Sequence, residues 1–213
     1  MPPLDDATNP QPAEALFPNT DASAPLPEQP LNPAERQRAG GFPARFAKLI
    51  RLHFENYRRM APWEFIWKIS VEGLAVSVVL AFLLDWFTAI EPRSDLVGQS
   101  LPQLFIGAVL VAPVLETLLM QSVPISLARG VRLGFSGQVG FSALLFAVAH
   151  FWVAGVGSGI CAGIVGGFYL AFTYAHWRER SFSHALWITI GTHAVRNLAA
   201  VAALFVTSRF SAS

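Results

Sequence analysis

The stretch Leu101–Ala128, LPQLFIGAVLVAPVLETLLMQSVPISLA, runs for 28 residues with a single ionisable side chain, Glu116. At about 1.5 Å of rise per residue such a helix outreaches the roughly 30 Å hydrocarbon core of a bilayer. Apolar segments on either side repeat the pattern at approximately Phe65–Ile90, Gln138–Ala154, Gly157–Trp177 and Ala185–Thr207. Together they predict an all-α, polytopic transmembrane bundle of about five spans. Pro113 and Pro124 leave open a kink in the second span, or its division into two shorter pieces.

Composition agrees. Of 213 residues, 53% are hydrophobic and only 14% charged, with a mean hydropathy of +0.45, which suits a chain solvated by lipid rather than a soluble globule. The net charge of +1 implies no nucleic-acid partner. Cys161, the single cysteine, has no partner for a disulfide within the chain and reads as a small packing residue.

Ahead of the spans, residues 1–40 are rich in Pro, Ala, Asn and Asp without an apolar stripe, and are expected to form a disordered acidic tail. The first basic residue is Arg36, so this is not a signal peptide. Residues 41–61 set Phe46, Leu49, Ile50, His53, Phe54 and Tyr57 against Arg45, Lys48, Arg51, Glu55, Arg58 and Arg59, the pattern of a basic amphipathic helix on an anionic membrane surface. The plainer alternative is a helix packed on the domain. Residues 62–208 form the membrane domain.

Basic residues sort by loop: Arg129 and Arg132, then Arg178 and Arg180, alternate with loops holding only Arg93, then no charge, then Arg209. The positive-inside rule then puts the N-terminus in the cytosol and the C-terminus across the membrane. A bacterial inner membrane is the expected location, since no targeting segment is visible. Gly155, Gly159, Gly163 and Gly167 recur every fourth residue and predict a smooth ridge for close helix packing.

Ionisable groups within spans are costly and so mark candidate sites: Glu72, Asp85, Glu116, His150, His193 and Arg196. Counting helical rise places Glu116 roughly 18 Å from the cytosolic end of its span, His150 roughly 18–20 Å, His193 roughly 12–14 Å and Asn197 roughly 18–20 Å. Three helices thus bring polar groups to one layer, as a shared site requires. Glu72 and Asp85 lie nearer the two interfaces, and His176 and His184 flank a basic loop where an interfacial position is expected. A lone membrane histidine is more often a hydrogen-bonding group than a catalyst, so the weight falls on the ensemble.

His193 and Asn197 share a helical face, as do Phe146 and His150. The set Glu116, Phe146-x-x-x-His150 and His193-x-x-x-Asn197 resembles the CPBP family, the CAAX-type and bacteriocin-processing-associated (Abi-like) intramembrane proteases, over about Leu101–Leu204. The resemblance implies a glutamate-dependent endopeptidase without metal or other cofactor. In it Glu116 is the general base on a water that His150 also holds, and His193 and Asn197 stabilise the oxyanion. A kink at Pro113 would make room for that water.

The family pattern Glu-Glu-x-x-x-Arg is here Glu116-Thr117-x-x-x-Gln121, so a salt bridge is replaced by two neutral residues that a helix brings into contact. Arg196, about 100° around the helix from Asn197, either restores the charge absent from Gln121, pairs with Glu72, or snorkels. A zinc site built from Glu, two His and Asn is the minor alternative, His-Glu-x-x-His being absent. Expected partners are membrane lipids and a peptide or membrane-protein substrate. Two rivals remain: a catalytically silent member that scaffolds or binds a membrane partner, and a small transporter or proton relay. Transport would need polar residues reaching both faces, whereas these cluster in one layer.

Overall fold

The computed structural model describes residues 52–87 and 99–210. The tail (1–40), the first part of the amphipathic segment (41–51), Arg93 and the side chain of Arg209 lie outside them. The described residues form helices and turns with no strand. Four helices are long and apolar enough to cross a membrane, and they make the chain an integral membrane protein: α1 (Pro62–Phe87), α2 (Leu101–Gly130), α3 (Phe135–Arg178) and α4 (Phe182–Phe210).

The third is folded back on itself. At Gly155 the backbone takes φ 76° and ψ −174°, a region closed to L side chains, and the chain reverses. Residues 135–154 and 156–178 then run antiparallel. A Cβ built on Gly159 would strike the Phe151 ring at 2.3 Å, one on Gly163 would lie 2.9 Å from Ala147 Cα, and one on Gly167 3.0 Å from the Phe146 ring. The expected glycine ridge therefore exists, but it packs against the arm immediately before it, and Gly155 supplies the turn instead of a ridge position. Among the described residues the five apolar segments read from hydropathy correspond to α1, α2, the two arms of α3, and α4.

Helix α2 is continuous through both prolines. It starts with Gln103 Oε1 accepting from the Ser100 N–H at 2.9 Å and the Ser100 hydroxyl at 2.8 Å. It then absorbs each proline by widening into a π turn just before it, at Phe105–Val111 and Thr117–Ser122. Widening relieves the clash between a proline ring and the carbonyl one turn back. The carbonyls that lose a donor are satisfied from other helices. Ser142 Oγ donates to Met120 O, four residues before Pro124, at 2.6 Å. Ahead of Pro113 the Ala112 N–H has shifted to Gly107 O, so Ala108 O would look to residue 113, which has no N–H. The Asn197 amide of α4 fills the gap.

Helix α4 packs against α1, α2 and the returning arm of α3, while the outgoing arm of α3 packs against its partner arm and the second half of α2. The main core lies at the end carrying Arg129, Arg132, Arg178 and Arg180. It joins Phe65 and Ile69 of α1 to Phe172, Tyr174 and Trp177 of α3. The outer surface is apolar, with Trp63, Trp67, Phe82, Trp86 and Trp187 turned outward as lipid contact requires.

One expectation is corrected here, in favour of the plainer alternative of a helix packed on the domain. Phe54 and Tyr57, assigned by their spacing to a lipid-facing stripe, turn into the protein: the Phe54 ring sits 4.5 Å from Phe172 and Tyr57 is buried. An aromatic pocket in the bundle removes them from water more completely than an interface does. Beside the basic loop His176 is buried, stacked at 5.3 Å on Phe65, whereas His184 is exposed beside Trp177.

Candidate active site

Glu116 ends the short α-helical stretch Ala112–Glu116 between the two π turns of α2. That irregular winding turns its carboxylate towards a cavity of about 650 Å³. The same cavity is lined by Phe146 and His150 from the outgoing arm of α3, by His193, Arg196 and Asn197 from α4, and by Ser77 from α1. The residues that helical rise placed in one layer thus line one cavity. Its other walls are apolar, among them Leu74, Leu104 and Val201.

Glu116 Oε2 lies 3.6 Å from His193 Nε2, close enough for strong electrostatic contact yet longer than a hydrogen bond. With an ionised carboxylate on that side, a neutral ring that carries its proton on Nε2 aims an N–H at an acceptor, the arrangement the electrostatics favour. His193 Nδ1, buried without a hydrogen-bond partner among the described residues, is then a bare lone pair, cheaper to bury than an N–H. His150 has the opposite tautomer. Its Nδ1 donates to the Phe146 carbonyl at 3.1 Å, leaving Nε2 as an acceptor. The ring stacks on Phe146 at 4.3 Å, and Phe146 is itself buried and edge-on to His193 at 6.0 Å. The absence of a Cβ at Gly163 lets the arms of α3 close up, because that atom would fall 3.1 Å from His150 Cβ.

Asn197 Nδ2 donates to Ala108 O at 2.7 Å. One of its two amide hydrogens is therefore committed to α2 and one remains. Thr117 and Gln121 are fully buried, but neither the Thr117 hydroxyl nor the Gln121 amide has a hydrogen-bond partner among the described residues. The contact expected between them is not a hydrogen bond. Nor does Arg196 supply the charge absent from Gln121: its Nη2 donates to Ser77 Oγ at 3.2 Å, and its guanidinium lies over the Tyr169 ring at 6.0 Å.

Glu72 is the member that sequence reasoning undervalued. Its carboxylate accepts from Tyr57 at 2.5 Å, Tyr169 at 2.7 Å and His53 at 2.8 Å, tying the segment before α1 to the bundle. The Tyr57 hydroxyl titrates above its ordinary value, first because it is buried and then because it donates to that carboxylate. The one available signal was an acid near a span end, since the two tyrosines lie 15 and 97 residues away. Among the described residues no three of His, Cys, Asp and Glu gather closely enough to hold one metal ion.

Fold and site together define a helical membrane protein with an acid and two imidazoles gathered at a cavity within the bundle. Residues 98–199 match the family model Rce1-like, the type II CAAX prenyl endopeptidases, which supports assignment of the chain to the CPBP/CAAX protease family. The matched region contains Glu116, Phe146, His150, His193 and Asn197. No curated protein and no solved structure matches significantly.

Proposed function

We propose that this chain is an intramembrane endopeptidase of the CAAX-processing type, using Glu116 and no metal ion to hydrolyse a peptide bond of a membrane-associated substrate. The observation that carries the reading is the approach of Glu116 to His193 at 3.6 Å on the wall of a cavity that also holds His150 and Asn197.

The chemistry follows from the tautomers. A water beside Glu116 gives one proton to the carboxylate while its oxygen attacks the scissile carbonyl carbon, and the lone pair of His150 Nε2 holds its other hydrogen. The developing oxyanion accepts from His193 Nε2–H and from the second amide hydrogen of Asn197. Collapse of the tetrahedral intermediate breaks the C–N bond, and Glu116 returns its proton to the departing amine. An apolar surround strengthens each of these contacts because little water competes. The family's prenylated CAAX substrates suit a mostly apolar cavity. Placing Arg129, Arg132, Arg178 and Arg180 in the cytosol, with the N-terminus, follows the positive-inside rule.

The test is cleavage of a prenylated peptide-reporter library by the full chain in lipid nanodiscs, wild type against Glu116→Gln at matched thermal stability. Loss of at least ~100-fold in rate is expected, the scale of a lost general base. Equal cleavage by both would remove Glu116 from the reaction. No cleavage by either would favour a silent, partner-binding member of the family.

A further inference from the structure

We propose that Arg196 and Ser77 form an anion subsite in the cavity wall that receives the free C-terminal carboxylate of a peptide substrate. This deepens the hydrolase reading and rests on it. Arg196 is 7% exposed, yet among the described residues no carboxylate pairs with it. Of its guanidinium donors, Nη2 bonds Ser77 Oγ and Nη1 has no hydrogen-bond partner there. Glu72 does not cancel the charge directly, because Tyr169 stands between them: its hydroxyl bonds Glu72 and its ring lies against the guanidinium. A guanidinium is expensive to hold at this depth in a bilayer, and such a cost is usual where the charge serves a substrate or ion.

The site is built for the group. A Cβ on Gly73 would fall 1.9 Å from Nη1 and one on Gly166 3.4 Å from Nη2, so two glycines clear the space that the guanidinium occupies. The Ser77 hydroxyl donates to Cys161 O at 3.1 Å, which orients its lone pair towards Arg196. The planar fork of N–H groups matches the two oxygens of a carboxylate.

Position favours a peptide end over a lipid head group. Arg196 is one helical turn from His193 and adjacent to Asn197, in the mid-depth layer rather than at an interface where head groups reside. Side chains one turn apart are separated by ~5–6 Å, and an extended peptide advances ~3.3–3.6 Å per residue. A carboxylate at Arg196 therefore places a bond within about two residues of the chain end beside His193 and Glu116. Leu74, Leu104 and Val201 provide apolar walls for the intervening side chains.

The experiment is equilibrium binding of a fluorescent S-farnesyl peptide, as the free acid and as its C-terminal carboxamide, to full-length Glu116→Gln protein in zwitterionic nanodiscs, where turnover does not interfere. The acid should bind at least ~10-fold tighter than the amide, the scale of one charge-assisted hydrogen bond. Adding Arg196→Gln should abolish that preference, Arg196→Lys should keep part of it, and Ser77→Ala should weaken the acid severalfold without touching the amide. If Arg196→Gln does not fold, the other two variants decide. Equal binding of acid and amide, or a preference that survives Arg196→Gln, overturns the proposal. So does phosphatidylglycerol in the nanodisc displacing the acid through Arg196, which would assign the subsite to lipid. An acid preference in a protein that cleaves nothing would sink the hydrolase reading and leave the subsite standing, whereas equal cleavage of acid and amide would sink the subsite alone.

Discussion

Asn197 of α4 and Ala108 of α2 are joined by a 2.7 Å hydrogen bond, in which the asparagine amide replaces the backbone donor that Pro113 lacks. A residue expected to act on substrate also holds the helix that carries Glu116. Asn197→Ala should therefore lower stability as well as activity, by on the order of 1–3 kcal/mol for a buried carbonyl left unbonded. Thermal unfolding in detergent checks this, and an unchanged midpoint would show that the bond contributes nothing.

Much of this was legible beforehand and some was not. Hydropathy found the apolar helical segments of the bundle, because apolarity is written continuously along each run. Helical rise placed Glu116, His150, His193 and Asn197 in one layer because depth in a bilayer is a local count. Partners across helices are not local: the bonds from Arg196 to Ser77 and from Tyr169 to Glu72 span 119 and 97 residues. Gly155 was misassigned because a regular four-residue spacing cannot say which glycine has positive φ. The stacking of His176 on Phe65 was not legible, because it depends on a ring from another helix. The π turns of α2 had a cause in view, Pro113 and Pro124, but periodicity alone does not tell widening from kinking.

Gly163→Val should separate the arms of α3 where His150 is held. Even its Cβ meets backbone at 2.9 Å, so overpacking of about 1–3 kcal/mol is expected together with a loss of activity. Gly107→Ala, with nothing within 4 Å of the added carbon, is the control and should be nearly silent in both assays.

Gln121 is fully buried with neither amide atom bonded among the described residues. Replacing it with methionine of similar volume should leave stability unchanged or raise it, by roughly 1–2 kcal/mol, because burying an unpaired amide is unfavourable. A lower unfolding midpoint for Gln121→Met would mean that the amide makes a bond in the membrane-embedded protein.

Tyr57 gives a prediction in pH. Its hydroxyl titrates above the ordinary 10.0 in the folded chain, through burial and then its bond to Glu72. The folded state thus holds this proton more tightly than the unfolded state does. The resulting stability is complete below about pH 10 and is lost as pH rises from there through the folded value. Unfolding midpoints measured from pH 8 to 11 should fall more steeply above pH 10 for wild type than for Tyr57→Phe. Parallel curves would remove Tyr57 as the cause.

The reversal at Gly155 also bears on how the chain enters a membrane. Its tip exposes Trp152 at 90%, Val153 at 74% and Val156 at 68%, and it carries no charged residue. A reversal so greasy does not have to shed a hydration shell on its way through hydrocarbon. The arms of α3 therefore form a hairpin whose tip suits lipid, and the close fit of His150 on Gly163 lies within that hairpin alone.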